Sequence, residues 1–369
     1  MSRAPATAPV GTAAAGLELA DRVDRFMMGA PRLAAELWSE VAHRSASAGP
    51  AMSDLIEAAR NADGGKFVRP RLVAAAFYGS GGTHDELLRR VAGAQQLLHL
   101  GLCMHDDVID GDRVRHGRPN VVGQAERAAR ARGLDADAAA RQGEASGILA
   151  GDLSLNAAVL ALLTAPAPSA TRLGLASAAL EAIERTIAGE LLDVQSETIA
   201  PARSEPLHIA LLKTASYSVT LPLVIGAVAA GVDDPAHLAA LEQVGSAFGI
   251  AYQLTDDDLG LYGSPAVTGK SALSDLRDGK RTEHIRLAHA RSTDDDRAVI
   301  DDVLGRLDAA EADAERVRAI VTATGARSAV HELIDRHLEH GIRIASEELP
   351  VPLAAYLTGL ARALRSREH

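Results

Sequence analysis

The sequence predicts an all-α protein folded as one large helical bundle, and three observations carry that reading. Apolar residues recur at three- and four-residue spacing over nearly the whole length. Runs of alternating β-branched residues between hairpin turns, the mark of a sheet, are missing. Two segments, 97–104 and 248–254, are apolar on almost every face, as helices in the middle of a bundle must be. In chain order, residues 1–16 are Ala/Pro/Thr-rich with little to bury and are expected to form a flexible tail; residues 17–369 form the domain. Helical spacing then shows in Leu55-Ile56-Ala59, in Leu87-Val91-Ala94-Leu98, in Ile183-Ile187-Leu191 and in Val303-Leu304-Leu307. Breaks fall at Gly79-Ser80-Gly81-Gly82, Ala165-Pro166-Ala167-Pro168, Asp233-Asp234-Pro235 and Leu349-Pro350-Val351-Pro352. The Ala/Arg/Asp-rich stretch from Glu126 to Arg141 reads as a solvated surface excursion.

Composition narrows the function. The 369 residues carry a formal charge of −11, which argues against a nucleic-acid binder that works by blanket phosphate neutralisation. An anionic small substrate stays compatible, because local charge can oppose net charge. Hydrophobic residues make up 47% of the chain, enough for a sizeable core, but aromatics only 3%, so the core is aliphatic. A single cysteine, Cys103, excludes an intramolecular disulfide framework. The N-terminal stretch lacks the apolar run of a signal peptide, and no charge-free apolar run of about 18 residues occurs. A cytoplasmic protein without a membrane span is expected.

Both wholly apolar segments run directly into carboxylates: Asp106, Asp107 and Asp110 after the first, Asp256, Asp257 and Asp258 after the second. Asp106 and Asp110 share a helix face, where like charges repel, and burial adds a desolvation cost. A multivalent cation resolves both, and an all-oxygen donor set favours Mg²⁺. The run Asp294-Asp295-Asp296, by contrast, reads as an ordinary solvated helix end. An EF-hand is a poor alternative, since the twelfth position counted from Asp106 is Gly117 rather than Glu. Lysine occurs only at Lys66, Lys213, Lys270 and Lys280 against 34 arginines, which asks what a compact point charge does there that a planar guanidinium does not.

With these residues in view the chain resembles the trans-isoprenyl diphosphate synthases, the polyprenyl synthetase family, and most of all the actinobacterial geranylgeranyl type. His105-Asp106-Asp107-Val108-Ile109-Asp110 resembles the first aspartate-rich motif, and Tyr252-Gln253-Leu254-Thr255-Asp256-Asp257 the second. Gly64-Gly65-Lys66-Phe67-Val68-Arg69-Pro70, Gly151-Asp152-Leu153, Lys213-Thr214, Gly269-Lys270 and Asp278-Gly279-Lys280-Arg281-Thr282 match further family motifs, in family order. All four lysines fall on family lysine positions. The resemblance implies the isoprenoid synthase fold, a bundle around a central cavity, and a homodimer. It implies condensation of isopentenyl diphosphate with an allylic diphosphate: the allylic C–O bond ionises, the carbocation is attacked, and a proton is lost. It further implies Mg²⁺ on Asp106, Asp110 and Asp256, with Asp107 and Asp257 in support and Gln253 orienting groups near the second cluster. Lys213, Lys270 and Arg115 would touch the allylic diphosphate; Lys66, Arg69, His99 and His116 lie on the isopentenyl side, and Thr214, Gln253 and Lys280 are further substrate-binding residues.

The departures from the family pattern are specific. Gly260 stands where many members have a third Asp, His116 where a second arginine is usual, Ser271 for a common Pro and Glu190 for a frequent Gln. In this family a bulky residue about one turn before the first Asp closes the product pocket. Gly101 and Leu102 are not aromatic, and Leu97 and Leu98 lie one turn deeper, which points to the twenty-carbon geranylgeranyl product. A longer-chain synthase, or the length-controlling subunit of a hetero-oligomer, is the alternative. A terpene cyclase is disfavoured by the scarcity of aromatic rings to steer carbocations.

Overall fold

The computed structural model of the chain describes residues 10–263 and 273–365. Helices follow one another almost without interruption: α1 (Val10–Met27), α2 (Ala30–Arg44), α3 (Pro50–Asn61), α4 (Val68–Gly79) and α5 (Asp85–Ile109). A two-stranded ribbon, β1 (Val114–Arg115) and β2 (Arg118–Pro119), leads into α6 (Val121–Ala131), α7 (Ala136–Leu163) and α8 (Ser169–Ser196). Then come α9 (Pro206–Ile209), a π-helix (Ala210–Thr220), α10 (Leu221–Ala229) and α11 (Pro235–Tyr262). The described chain closes with α12 (Ser274–Arg277), α13 (Glu283–Arg291), α14 (Asp294–Val303), α15 (Glu311–Ala323), α16 (Ala326–Glu348) and α17 (Val351–Arg365).

Three expectations change in detail. Within the segment expected as a tail, residues 10–16 are already the first turns of α1, and residues 1–9 lie outside the described residues. The stretch Glu126–Arg141 is the end of α6, a short turn and the start of α7, because Asp135 caps α7 by accepting from the Ala138 amide. The single expected domain divides into two compact units. One comprises residues 20–180 and 222–233; the other, the described residues among 1–19, 181–221 and 234–369. The boundary at Leu180/Glu181 falls inside α8, so no linker composition marks it.

In the first unit α5 packs along α7, and glycines set how close they come. A Cβ on Gly147 would meet Val108 Cγ2 at 2.5 Å, and one on Gly101 would meet Leu155 Cγ at 2.9 Å and the Gly151 carbonyl at 3.0 Å. Ser154 Oγ donates to the Leu97 carbonyl across the same seam, at 2.7 Å. The apolar segment 97–104 is therefore central, with Leu97, Leu98, Leu100 and Met104 all buried. In the second unit α11 is the hub, lying against the π-helix and α16. A Cβ on Gly245 would meet Thr220 Cα at 2.5 Å, and one on Gly341 would meet Phe248 Cε1 at 2.5 Å. Phe248, Ile250, Ala251 and Leu254 are buried as expected. A further apolar cluster, including Leu276, Ile285, Ile300, Val303, Val317 and Val321, holds α12–α15 together.

Two helical stretches, Ala136–Leu163 and Pro206–Ala229, are long and apolar enough to cross a membrane by length and composition alone. Core helices meet the same criterion, and 44% and 67% of those windows are buried. The charge-free criterion passes over them because Asp152 and Lys213 interrupt the apolar runs.

Candidate active site

In the first unit, the site is assembled on the last turns of α5. Asp106 and Asp107 lie in the final turn, and Asp110 is the C-cap residue. The C-terminal end of a helix is already negative, so three carboxylates there call for cations. Arg115 on β1 supplies one: its Nη2 donates to Asp106 Oδ2 and its Nε to Asp107 Oδ1, both at 2.8 Å. Burial still pushes the Asp107 carboxyl up to about 6, against the pull of Arg115. Oxygens of Asp106 and Asp110 approach within 4.8 Å of each other. Hard oxygen donors on one helix turn suit Mg²⁺.

Arg115 is held by a tight hairpin whose two loop residues, His116 and Gly117, carry φ of 53° and 73°. Two successive positive φ values are what a type I′ turn demands, and His is among the residues that tolerate them. The unusual His116 thus occupies a turn position, and its ring lies 3.8 Å from where a Cβ on Gly65 would stand. The glycine-rich loop of Lys66 is tethered just upstream, where Gln96 Nε2 donates to Asp63 Oδ1 at 2.8 Å. Burial, then the charges of Arg69, Arg115 and His116, drive the His99 pKa well below the ordinary range. His99 is therefore a neutral imidazole, 3.4 Å from Cys103 Sγ, amid three basic side chains. Arg69, Arg115 and His116 lie around His99, while Lys66 is exposed at the loop tip.

His105, not among the expected site residues, braces this turn. Its Nε2 lies 3.1 Å from the Ile148 carbonyl and 3.3 Å from Asp152 Oδ1. A Cβ on Gly151 would run into the imidazole, which explains the glycine of the Gly151-Asp152-Leu153 motif.

The second unit holds the other half of the expected residues. Lys213 and Thr214 lie in the π-helix, a distorted form frequent at functional sites. Lys213 Nζ contacts Glu190 Oε2 at 2.8 Å and Asp193 Oδ2 at 2.7 Å, both on α8. Thr214 Oγ1 donates to Gln253 Oε1 at 2.6 Å, and Gln253 Nε2 donates to Asp257 Oδ1 at 2.7 Å. Burial pushes the Asp257 carboxyl up to about 8 despite that hydrogen bond, with Asp275, Asp256 and Asp193 adding to the rise. Asp256 is exposed on α11. Lys280 lies in a turn whose backbone N–H donates to the Asp275 carbonyl at 2.9 Å, and Lys270 lies outside the described residues.

Two departures gain a physical account. A Cβ on Gly260 would collide with Asp275 Oδ2, so a carboxylate from α12 stands where a side chain at residue 260 would begin. Asp258, the third acid of its run, turns away to a structural cluster. It receives both Arg327 Nε and Nη2, at 2.9 and 3.0 Å, and lies 3.1 Å from His284 Nε2. Sequence reasoning missed Asp193 and Asp275 as site residues, and neither carried a local signal.

The chain-length residues divide between faces. Leu97 and Gly101 face α7, so Gly101 is a helix-crossing glycine with no space beside it for a pocket-closing ring. Leu98 and Leu102, spaced by four, lead along the helix to Asp106; Leu98 is buried and Leu102 half-buried.

A family profile described as Polyprenyl synthetase matches residues 52–321. The (2E,6E)-farnesyl diphosphate synthase of Mycobacterium tuberculosis is 31% identical over 310 residues, covering 82% of this chain and 80% of that protein. The geranylgeranyl diphosphate synthase of the same organism is 29% identical over 294 residues, covering 78% and 77%. Among solved structures, geranylgeranyl pyrophosphate synthase from Corynebacterium glutamicum, complexed with isoprenyl diphosphate and magnesium, superposes with a TM-score of 0.85. It is 28% identical, with 94% of this chain and 99% of that one covered. The motifs, the fold and these likenesses agree: the chain belongs to the polyprenyl synthetase family and is a prenyltransferase of the trans-prenyl diphosphate synthase kind.

Proposed function

We propose that this protein joins isopentenyl diphosphate to an allylic diphosphate with Mg²⁺ as cofactor, and that its main product is geranylgeranyl diphosphate. The observation that carries the reading is the pairing of Asp106 and Asp110 on one helix turn, their oxygens within 4.8 Å, with Arg115 beside them. Asp106 and Asp110 would be ligands of a metal ion in the first unit and Asp256 a metal ligand in the second; a bound metal neutralises charge on a departing diphosphate. Arg115 and Lys213, each now paired with carboxylates, would exchange them for phosphate oxygens. Thr214, by donating to Gln253, fixes which end of that amide reaches Asp257, and so keeps Gln253 aligned with the second cluster. Lys66, Arg69, His99 and His116 would bind isopentenyl diphosphate, His99 as a neutral hydrogen-bonding group. The allylic C–O bond breaks with its electrons on the diphosphate. The isopentenyl double bond attacks the carbocation, and the released diphosphate takes the proton.

The twenty-carbon product is supported by Leu98 and Leu102, aliphatic residues that leave room where an aromatic one would close the pocket early. A homodimer is part of the same proposal. Ile148, Leu149, Leu160 and Leu163 of α7, with Leu173 and Leu180 of α8, are exposed apolar side chains that a second copy would cover. A cytoplasmic location is proposed on the water-soluble substrates. The test is a purified-protein assay with labelled isopentenyl diphosphate and each allylic primer, product length being read by mass. Twenty-carbon product that disappears with chelator is expected. Absence of any elongated product with every primer would overturn the reading.

A further inference from the structure

Outside the residues considered so far, the first unit carries a cavity of about 480 Å³ lined by Arg22, Arg25, Arg32 and Arg89, with Phe26 and Tyr78 among its walls. In a chain where 49 acids outnumber 38 bases, arginines generally find carboxylates, as Arg113, Arg318 and Arg327 do. Here Arg25, Arg32 and Arg89 are exposed and, among the described residues, have no partner. Three unpaired guanidiniums around one cavity repel one another and create a local positive field opposed to the net charge. The walls are ordered. Arg22 lies over the Tyr78 ring at 3.9 Å and donates to the Gly82 carbonyl at 3.2 Å. Tyr78 donates to Asp85 at 3.0 Å, which occupies one of the two carboxylates at the cavity and leaves Glu36 as the other. Phe26 meets Tyr78 edge-on at 6.3 Å, and Leu33 completes an apolar side. A chain with only four Phe, five Tyr and one Trp has gathered Phe26, Phe77 and Tyr78 at this one place.

We infer that this cavity is a second anion site, which takes a phosphate-bearing molecule with an apolar portion: arginines for the phosphate oxygens, the Phe26–Leu33 side for the rest. Two sources share that chemistry, a free prenyl diphosphate and the headgroup region of an anionic phospholipid. The inference does not depend on the reaction proposed above, because it uses none of the same residues.

The test uses the full chain in chelator, with three probes: inorganic pyrophosphate, farnesyl diphosphate, and vesicles of phosphatidylglycerol against phosphatidylcholine. Arg25→Gln, Arg32→Gln and Arg89→Gln together should weaken one class of binding at least tenfold and, assayed separately with Mg²⁺ present, leave the prenyl-transfer rate unchanged. Glu36→Gln should tighten the same binding two- to threefold. Variant-sensitive binding of farnesyl diphosphate, tighter than that of pyrophosphate, assigns a free diphosphate; variant-sensitive binding of phosphatidylglycerol vesicles alone assigns a lipid surface. Binding of every probe unchanged by the triple substitution overturns the inference. Should that variant fail to fold, Glu36→Gln decides alone, and unaltered affinity in every arm has the same force.

Discussion

The imidazole of His105 lies over the Cα of Gly151, where any side chain at residue 151 would collide with it. This contact fastens the helix turn that carries Asp106 and Asp110 to α7, and Asp152 and the Ile148 carbonyl complete it. His105→Ala should therefore raise the Mg²⁺ concentration needed for half-maximal turnover about tenfold, the size expected when support for metal-binding groups is lost. Gly151→Ala should do the same by expelling the ring. A Mg²⁺ titration of both variants checks this, and an unshifted midpoint would show that the turn holds itself.

Lys213 is poised between Glu190 and Asp193 at 2.8 and 2.7 Å. A Cβ on Gly189 would strike its backbone, so the space around it is small. Lys213→Arg should lower kcat at least tenfold although charge is kept, because a planar fork does not replace a compact point donor. Glu190→Gln, by removing one competitor for the ammonium, should lower KM for the allylic diphosphate two- to fivefold. Steady-state kinetics on the two variants separates the effects; an Arg variant at full rate would mean that only charge is used.

The helical class and the two carboxylate clusters were legible because both rest on local pattern: apolar residues at helical spacing, then acids at one end of the run. The partners of those acids were not. Asp193 is twenty residues from Lys213, and Asp275 is fifteen from Gly260; nothing in a linear sequence tells which carboxylate a folded chain returns to a given point. The role of Asp258 was hidden for the same reason, since its partners His284 and Arg327 lie on α13 and α16. Gly101 shows the opposite error. Its position relative to Asp106 was read correctly along the helix, but which face it presents depends on α7, some fifty residues later.

Asp258 makes a prediction about acid stability. Burial alone would raise its carboxyl, but hydrogen bonds from His284 and Arg327 outweigh that and hold it well below the usual carboxylate range. A group lowered in the folded state contributes stability above its unfolded pKa of about 3.9, and that contribution is lost as pH falls through the folded value. Asp258→Asn should cost about 3 kcal/mol at pH 7, as loss of one partner in a buried ion pair does. The difference from wild type should shrink as pH drops below about 4. Thermal unfolding of both proteins between pH 7 and pH 3 tests the sign; a gap that widens in acid would contradict it.

Product length depends on which face of α5 meets the growing chain. Gly101 does not offer the test that its position in sequence suggests, because a Cβ there already lies 2.9 Å from Leu155 Cγ and 3.0 Å from the Gly151 carbonyl. Gly101→Phe should force α5 and α7 apart and destabilise the protein by about 3 kcal/mol or more, with little soluble enzyme to assay. Leu102 lies one helical turn before Asp106 and is only half-buried, so a larger ring there has somewhere to go. Leu102→Phe should shift product from twenty toward fifteen carbons. Leu98→Ala, one turn deeper and fully buried, removes about three methylene-sized groups and should lengthen the product while lowering the melting temperature. Mass analysis of products from the Leu102 and Leu98 variants decides the matter. If both keep the wild-type distribution, the floor of the pocket is built by another helix, and the face of α5 that carries Asp106 only guides the diphosphate end.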